Sequence, residues 1–150
     1  TNPNRACATA DANATDTNSG TNTTLSCTDP GKDRHRWWDF NLGVPTTAQL
    51  IAGITVRIDE GQSNNGATAW VCIQLSWDAG ASWTAAKNVV LTSNGITTYT
   101  LGGTADTWGR TWVGSDFSNA NFRVRVIDAS TQAGKDFNLD YLAVQVNYYP

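Results

Sequence analysis

The stretch ITVRID, residues 54–59, alternates apolar with polar side chains, and this period of two is typical of a strand with one face in a core. The same alternation recurs in VCIQLS (residues 71–76), FRVRV (122–126) and LAVQV (142–146). Turn sequences separate these runs: NNG at residues 64–66, DAG at 78–80 and NG at 94–95. No segment shows the 3.6-residue period of an amphipathic helix, so the pattern predicts strands throughout.

We therefore predict an all-β chain that forms a single antiparallel β-sandwich, jelly-roll-like in arrangement, with about eight or nine strands. The length of 150 residues suits one domain, and we expect residues 1–150 to form one unit without a linker. Residues 1–30 are polar, rich in Asn and Thr, and interrupted by turn sequences. They are predicted to form an N-terminal arm that packs on the sandwich or extends beyond it.

The chain has three cysteines, and they bear on both the fold and the compartment. Cys7 and Cys27 lie in polar sequence, whereas Cys72 lies in an apolar strand and is predicted to be a small buried side chain. We predict a Cys7–Cys27 disulfide that fixes the arm. The pairs Cys7–Cys72 and Cys27–Cys72, or a bridge between subunits, remain alternatives. A disulfide indicates an oxidising compartment, and the first residue, Thr1, favours a processed product, so we expect a secreted or cell-surface protein.

Charge and composition argue against several classes of function. The net charge is −3 and no basic patch stands out, so nucleic-acid binding is not expected. No apolar run approaches the roughly 18 residues of a membrane span, so membrane insertion is not expected either. The only histidine, His35, lies between two arginines without a neighbouring nucleophile, and it is predicted to be a solvent-facing strand residue. We predict that the protein is not an enzyme and has no catalytic residues.

The seven tryptophans suggest a binding surface made of aromatic rings. Such rings could stack on a sugar or pack against a neighbouring subunit. The candidate rings are Trp37, Trp70, Trp108, Trp112 and Tyr149. The competing interpretation is that the N-terminal arm covers the outward-facing rings among them.

The longest loop carries DTWG at residues 106–109, and it could be a ligand loop. In that interpretation Trp108 and Trp112 stack on the ligand, while Asp106 or Asp116 bonds its hydroxyl groups. We favour the alternative that both tryptophans fill the end of the sandwich, because buried tryptophan contributes strongly to cores.

The acidic residues could supply oxygen ligands to a structural Ca²⁺, although no dense D-x-D-x-D loop is present. Jelly-roll carbohydrate modules often hold such an ion, and by this analogy Asp11 and Asp140 are the candidate ligands. No other cofactor is expected.

Several segments resemble β-sandwich modules of bacterial cell-surface proteins and phage tail or fibre proteins. The core of the resemblance is an aromatic strand that ends in a proline turn, WDFNLGVP (residues 38–45), followed by the strand IAGITV (51–56). Further matching segments are LSWDAG (75–80), SWT (82–84), YTLGG (99–103), DTWG (106–109), NFRVRV (121–126) and DFNLDY (136–141). The resemblance covers roughly residues 35–149 and implies display, adhesion or assembly, with no catalytic residues to carry over.

Two functions follow from these observations. The first is a non-catalytic extracellular structural module, a subunit of a surface filament, fibre or adhesive assembly. It would self-associate through residues 1–15 or the final strand, by strand addition at a sheet edge. The alternative is a carbohydrate-binding module that holds a polysaccharide on surface Trp and Tyr rings.

Overall fold

A computed structural model describes residues 2–9, 12–17, 23–63 and 68–150. Over these residues the chain forms eight strands and two short 3-10 helices, the latter at Pro3–Ala6 and Gly114–Phe117. The strands are β1 (Ala14–Asp16), β2 (Arg34–Trp37), β3 (Leu50–Gln62), β4 (Ala69–Ser76), β5 (Lys87–Val90), β6 (Thr97–Gly102), β7 (Arg123–Ser130) and β8 (Phe137–Tyr149). No helix in the described ranges is long and apolar enough to cross a membrane.

The strands form two four-stranded sheets in which every pair is antiparallel. The first sheet has the order β1-β8-β3-β6 and the second has the order β2-β7-β4-β5. The long central strands β3 and β8 pair along almost their whole length, with register shifts between Ile51 and Gly53 and between Asp59 and Glu60. The predicted all-β antiparallel sandwich is confirmed.

The core is built from the inward positions that the alternating pattern predicts. β3 contributes Ile54, Val56 and Ile58, and these side chains are completely buried. They join the inward apolar residues of β4 and β7 in one cluster, so the two sheets share a single core. Side chains on opposite faces of a strand alternate, which leaves the intervening residues on the outer faces.

The predicted Cys7–Cys27 disulfide is wrong. The bond joins Cys27 to Cys72, with a Cα–Cα distance of 5.8 Å, and Cys7 is an exposed free thiol. Cys72 lies on β4 between the core residues Val71 and Ile73, so it faces outward from the second sheet, where Cys27 of the arm meets it. Cys7 instead forms a β-bridge with Tyr141 of the first sheet. The two arm cysteines therefore attach to different sheets and cannot pair.

The structure has no strand at residues 38–45, where the resemblance implies an aromatic strand. β2 ends at Trp37, and both Asp39 and Asn41 have left-handed backbone conformations, with φ of 62° and 51°. Asn and Asp adopt this region more readily than other non-glycine residues, and a strand cannot continue through it. The chain therefore turns away from the sheet immediately after Trp37 and presents Trp38 at the surface.

Candidate functional site

The two tryptophans of the longest loop are not available for stacking. Trp108 and Trp112 are each 4 % exposed, and both belong to the core cluster. Their indole N–H groups donate to backbone oxygens, Trp108 to Ile54 at 2.9 Å and Trp112 to Thr107 at 2.7 Å. Their assignment as ligand-stacking rings is corrected accordingly: the loop needs them to fill the end of the sandwich.

The two aspartates of the same loop are engaged within the protein. Asp106 forms an ion pair with Lys87 at 2.9 Å and accepts the backbone N–H of Trp108. Asp116 accepts from Arg110 at 2.9 Å and from the backbone N–H of Val113 at 3.0 Å. Both carboxylates bond to groups of the protein that hold the loop in place, and not to the hydroxyl groups of a ligand.

The remaining predicted rings lie on separate parts of the molecule. Trp37 lies opposite the core residue Val124 and packs partly against the core. Trp70 lies on the outer face of the second sheet and is half-buried. Tyr149 is 61 % exposed at the end of β8. These three rings therefore do not form one platform.

Four aromatic rings, those of Trp37, Trp38, Phe40 and Tyr141, instead line a groove of about 330 Å³ beside β8. Its walls come from the N-terminal 3-10 helix, the segment after β2, and one edge of β8. It is lined by Ala6, Cys7, Trp37, Trp38, Asp39, Phe40, Tyr141, Leu142, Ala143 and Val144. We call this feature the aromatic groove.

Trp38 is the most exposed ring of the aromatic groove, at 56 %. The guanidinium of Arg123 lies 5.8 Å from the centre of the ring. The loop that carries the ring is held by an amide pair, in which Asn119 Nδ2 donates to Asn41 Oδ1 at 2.7 Å and the Asn41 backbone N–H donates to Asn119 Oδ1 at 3.1 Å. An exposed ring on a hydrogen-bonded loop thus lies near one cationic group.

Trp38 was not among the predicted site residues. The available signal was the pair of consecutive tryptophans, because neighbouring side chains of a strand point to opposite faces and only one of the two rings can enter the core.

A second feature is a polar cluster between the two sheets. It contains one side chain from each of four strands: Asp16, His35, Glu60 and Asp128. These side chains line a cavity of about 150 Å³ together with apolar residues of both sheets. Glu60 and Asp128 are 1 % and 3 % exposed, and His35 Nε2 lies 3.3 Å from Asp16 Oδ2.

His35 was expected to point towards solvent, but its side chain points between the sheets. His35 lies opposite the core residue Val126 in the register of β2 and β7, so its ring points inward. Because β2 is an edge strand, 43 % of the side chain is still exposed. The ring therefore lies at the mouth of the cavity.

The ionisation of the cluster is strongly perturbed. Burial raises the pKa of Glu60 to about 8, and burial together with the nearby Glu60 carboxyl raises the pKa of Asp128 well above its usual value. The interaction with Asp16 raises the pKa of His35, against the opposing effect of burial. Burial therefore favours the protonated, uncharged form of both carboxyl groups.

The predicted calcium ligands do not form part of this cluster. Asp140 lies on β8 and is half-buried, and it is not among the described side chains that come together. Asp11 lies outside the described residues. The group of described His, Cys, Asp and Glu side chains that could hold a metal ion is instead Asp16, His35 and Asp128.

Comparisons with known proteins give one distant neighbour. No protein family matches the chain, and no curated protein matches it. Among solved structures, the chain is similar to the N-terminal endo-1,4-β-D-xylanase 10B of Clostridium thermocellum, in its CBM22-1 and GH10 modules complexed with xylohexaose. The identity is 10 % and the TM-score is 0.35; the match covers 88 % of this chain and 24 % of the xylanase chain. The chain thus spans about a quarter of that protein.

Proposed function

We propose that this chain is an extracellular, non-catalytic module that binds a polysaccharide in the aromatic groove. The observation that carries the proposal is the exposed ring of Trp38 in a groove that Tyr141 also lines, where rings from two distant parts of the chain meet. An aromatic ring offers a flat apolar face for the C–H side of a sugar ring, and neighbouring polar groups then bond its hydroxyls.

The groove is better suited to binding than to hydrolysis. Glycoside hydrolysis commonly needs two carboxyl groups on either side of the scissile bond. Of the described residues that line the groove, Asp39 alone carries a carboxylate. The Cys27–Cys72 disulfide supports the extracellular part of the proposal, because such bonds persist in oxidising compartments.

The test is binding of soluble polysaccharides by affinity electrophoresis, followed by titration calorimetry with oligosaccharides of any that bind. Replacing Trp38 by alanine should weaken binding at least about tenfold, because a central aromatic contact is lost. The matched control is Tyr149→Ala, which removes a similarly exposed ring at the end of β8, outside the aromatic groove. Binding that is equal in wild type and Trp38→Ala would refute the proposal, as would the absence of any polysaccharide ligand.

Self-association through β8 is the second candidate. β1 pairs only with residues 137–139 of β8, and Cys7 bridges Tyr141. Within the described residues, the edge of β8 from residue 142 to 149 therefore has a partner on the β3 side only. An open edge presents free N–H and C=O groups to which another chain can add a strand.

Exposed apolar residues at the end of this edge favour the same candidate. Tyr149 lies opposite Leu50, and these residues are 61 % and 54 % exposed. Light scattering of the native protein tests the idea. If the edge is used, Tyr148→Lys should shift assemblies towards monomer and Ile96→Lys, at an exposed apolar site elsewhere, should not. A wild-type protein of 16.1 kDa at high concentration would exclude assembly.

A further inference from the structure

The polar cluster between the sheets has the composition of a metal site. Asp16, His35 and Asp128 each offer one ligand atom, and these three atoms all lie within 4.8 Å of one another. In tetrahedral zinc sites, metal–ligand distances of about 2.1 Å place ligand atoms about 3.4 Å apart. Small side-chain rotations therefore bring the three atoms to coordinating distance.

The buried carboxyl groups of the cluster lack the partners that buried acids normally have. Asp128 Oδ1 and both carboxyl oxygens of Glu60 are inaccessible to solvent and have no hydrogen-bond partner. In the described parts of the chain, no lysine or arginine forms an ion pair with either acid. Buried ionised acids are normally paired or bound to a metal, and a metal ion that displaced their protons would supply the missing partner.

A route for an ion exists from the solvent side. His35 and Asp16 lie towards the edge strands β2 and β1, and 43 % of the His35 side chain is exposed. His35 Nε2 and Asp16 Oδ2 approach within 3.3 Å without the geometry of a hydrogen bond, and both atoms are otherwise unpartnered. A metal ion bound between them would displace the imidazole proton and give each atom the partner that it lacks.

We propose that Asp16, His35 and Asp128 bind one divalent transition-metal ion of the Zn²⁺ type, which links the two sheets. The set of one imidazole nitrogen and two carboxylates suits Zn²⁺ and its first-row neighbours. Ca²⁺ takes six to eight oxygen ligands, and three side chains that include a nitrogen do not supply them. Asp16 belongs to the first sheet and the other two ligands to the second, so the ion would act as a cross-link between them.

The primary test uses the fact that His35 is the only histidine of the chain. The protein, prepared without a histidine tag and freed of metal with EDTA, is titrated with Zn²⁺ while the imidazole signals are followed by NMR. We expect the signals to change until one equivalent has been added and then to stay constant. Signals that do not move, or that move only at a large excess of Zn²⁺, would overturn the proposal.

Variants separate the three-residue site from zinc binding by a lone surface imidazole. Asp128→Asn and Asp16→Asn should each lower the Zn²⁺ affinity about 100-fold, while Asp140→Asn, the same substitution on β8 outside the cluster, should leave it unchanged. Zn²⁺ should also raise the midpoint of thermal unfolding of the wild type and of Asp140→Asn. If one ligand variant fails to fold, as judged by circular dichroism, the other still decides. Equal affinity in the wild type and a folded ligand variant would overturn the proposal.

Discussion

Cys27 is bonded to Cys72 across a Cα–Cα distance of 5.8 Å, and this bond attaches the N-terminal arm to the outer face of β4. Cys72 is completely buried although it points away from the core between the sheets. The arm also receives hydrogen bonds from Arg34, whose guanidinium donates to the backbone oxygens of Asp29, Pro30 and Lys32. The segment of the arm around Cys27 therefore lies against the outer face of the second sheet.

Removal of this disulfide should destabilise the protein strongly. The bond closes a loop with a sequence separation of 45, and the chain-entropy relation gives about 4 kcal/mol for a loop of that length. We expect the Cys27→Ser variant to lose about this much free energy of unfolding in urea denaturation. Reduction of the wild type should produce a similar loss.

Cys7→Ser is the matched control, because Cys7 is an exposed free thiol. Its free energy of unfolding should remain within about 0.5 kcal/mol of the wild type. Native wild-type protein should show one thiol that reacts with Ellman's reagent, and Cys7→Ser should show none. A reactive thiol in native Cys7→Ser would mean that the pairing in the protein is different.

The aromatic cluster under the longest loop should be sensitive to the loss of a ring. Phe122 is 2 % exposed, and its ring centre lies 5.4 Å from that of Phe117 and 6.2 Å from that of Trp112. Phe122→Ala should cost about 3–5 kcal/mol, because it removes a large buried side chain and leaves a cavity. Val113→Ala, at a 53 % exposed site of the same loop, should change stability by less than about 0.5 kcal/mol. Chemical denaturation measures both, and similar losses would contradict the assignment of Phe122 to the core.

Glu60, the buried acid of β3, should make the stability of the metal-free protein depend on pH. The pKa of Glu60 is 4.5 in its unperturbed state and about 8 in the fold. Between these values the folded protein holds a proton that the unfolded chain has released, so stability falls as pH rises through this window. One such proton gives a slope of at most about 1.4 kcal/mol per pH unit.

Glu60→Gln should remove this part of the slope. Both proteins are denatured in EDTA at several pH values between the two pKa values of Glu60, 4.5 and about 8. The variant should gain stability relative to the wild type as pH rises. Asp16, His35 and Asp128 face Glu60, and the raised pKa of Asp128 will leave some slope in the variant. Asp140→Asn should keep the wild-type slope. Parallel curves for Glu60→Gln and the wild type would show that Glu60 is ionised in the fold.

The sequence pattern predicts the sheets well, because a period of two directly sets which side chains face the core. Ile54, Val56 and Ile58 are all buried, as the alternation requires. The next inward position of the same alternation, two residues after Ile58, is Glu60. Asp128 follows Val124 and Val126 with the same spacing. The inward position of both acids was thus present in the pattern, but their proximity depends on how the two sheets face each other.

The sites were harder to predict because they depend on contacts between distant segments. Cys72 was expected to be an unpaired buried side chain, and its partner Cys27 follows from the path of the arm, which has no period. Trp108 is the opposite case. Its burial was predicted without knowledge of its contacts, because a large ring is costly to expose. The aromatic groove joins the segment after β2 to Tyr141 of β8, a pairing that no local pattern contains.

A close contact between β3 and the chain after β6 leaves no room for a side chain at Gly53. A Cβ atom at Gly53 would lie 2.4 Å from the backbone oxygen of Gly103, and the contact cannot relax easily because Gly103 N–H also donates to Ile54 O at 3.1 Å. Gly53→Ala should therefore cost about 1–3 kcal/mol of unfolding free energy, the usual range for overpacking. Gly103→Ala is the matched control, since a Cβ there meets no atom within 4 Å, and it should be nearly neutral. Urea denaturation of the two variants measures the difference, and an equal loss in both would show that segment 103–104 does not lie against β3.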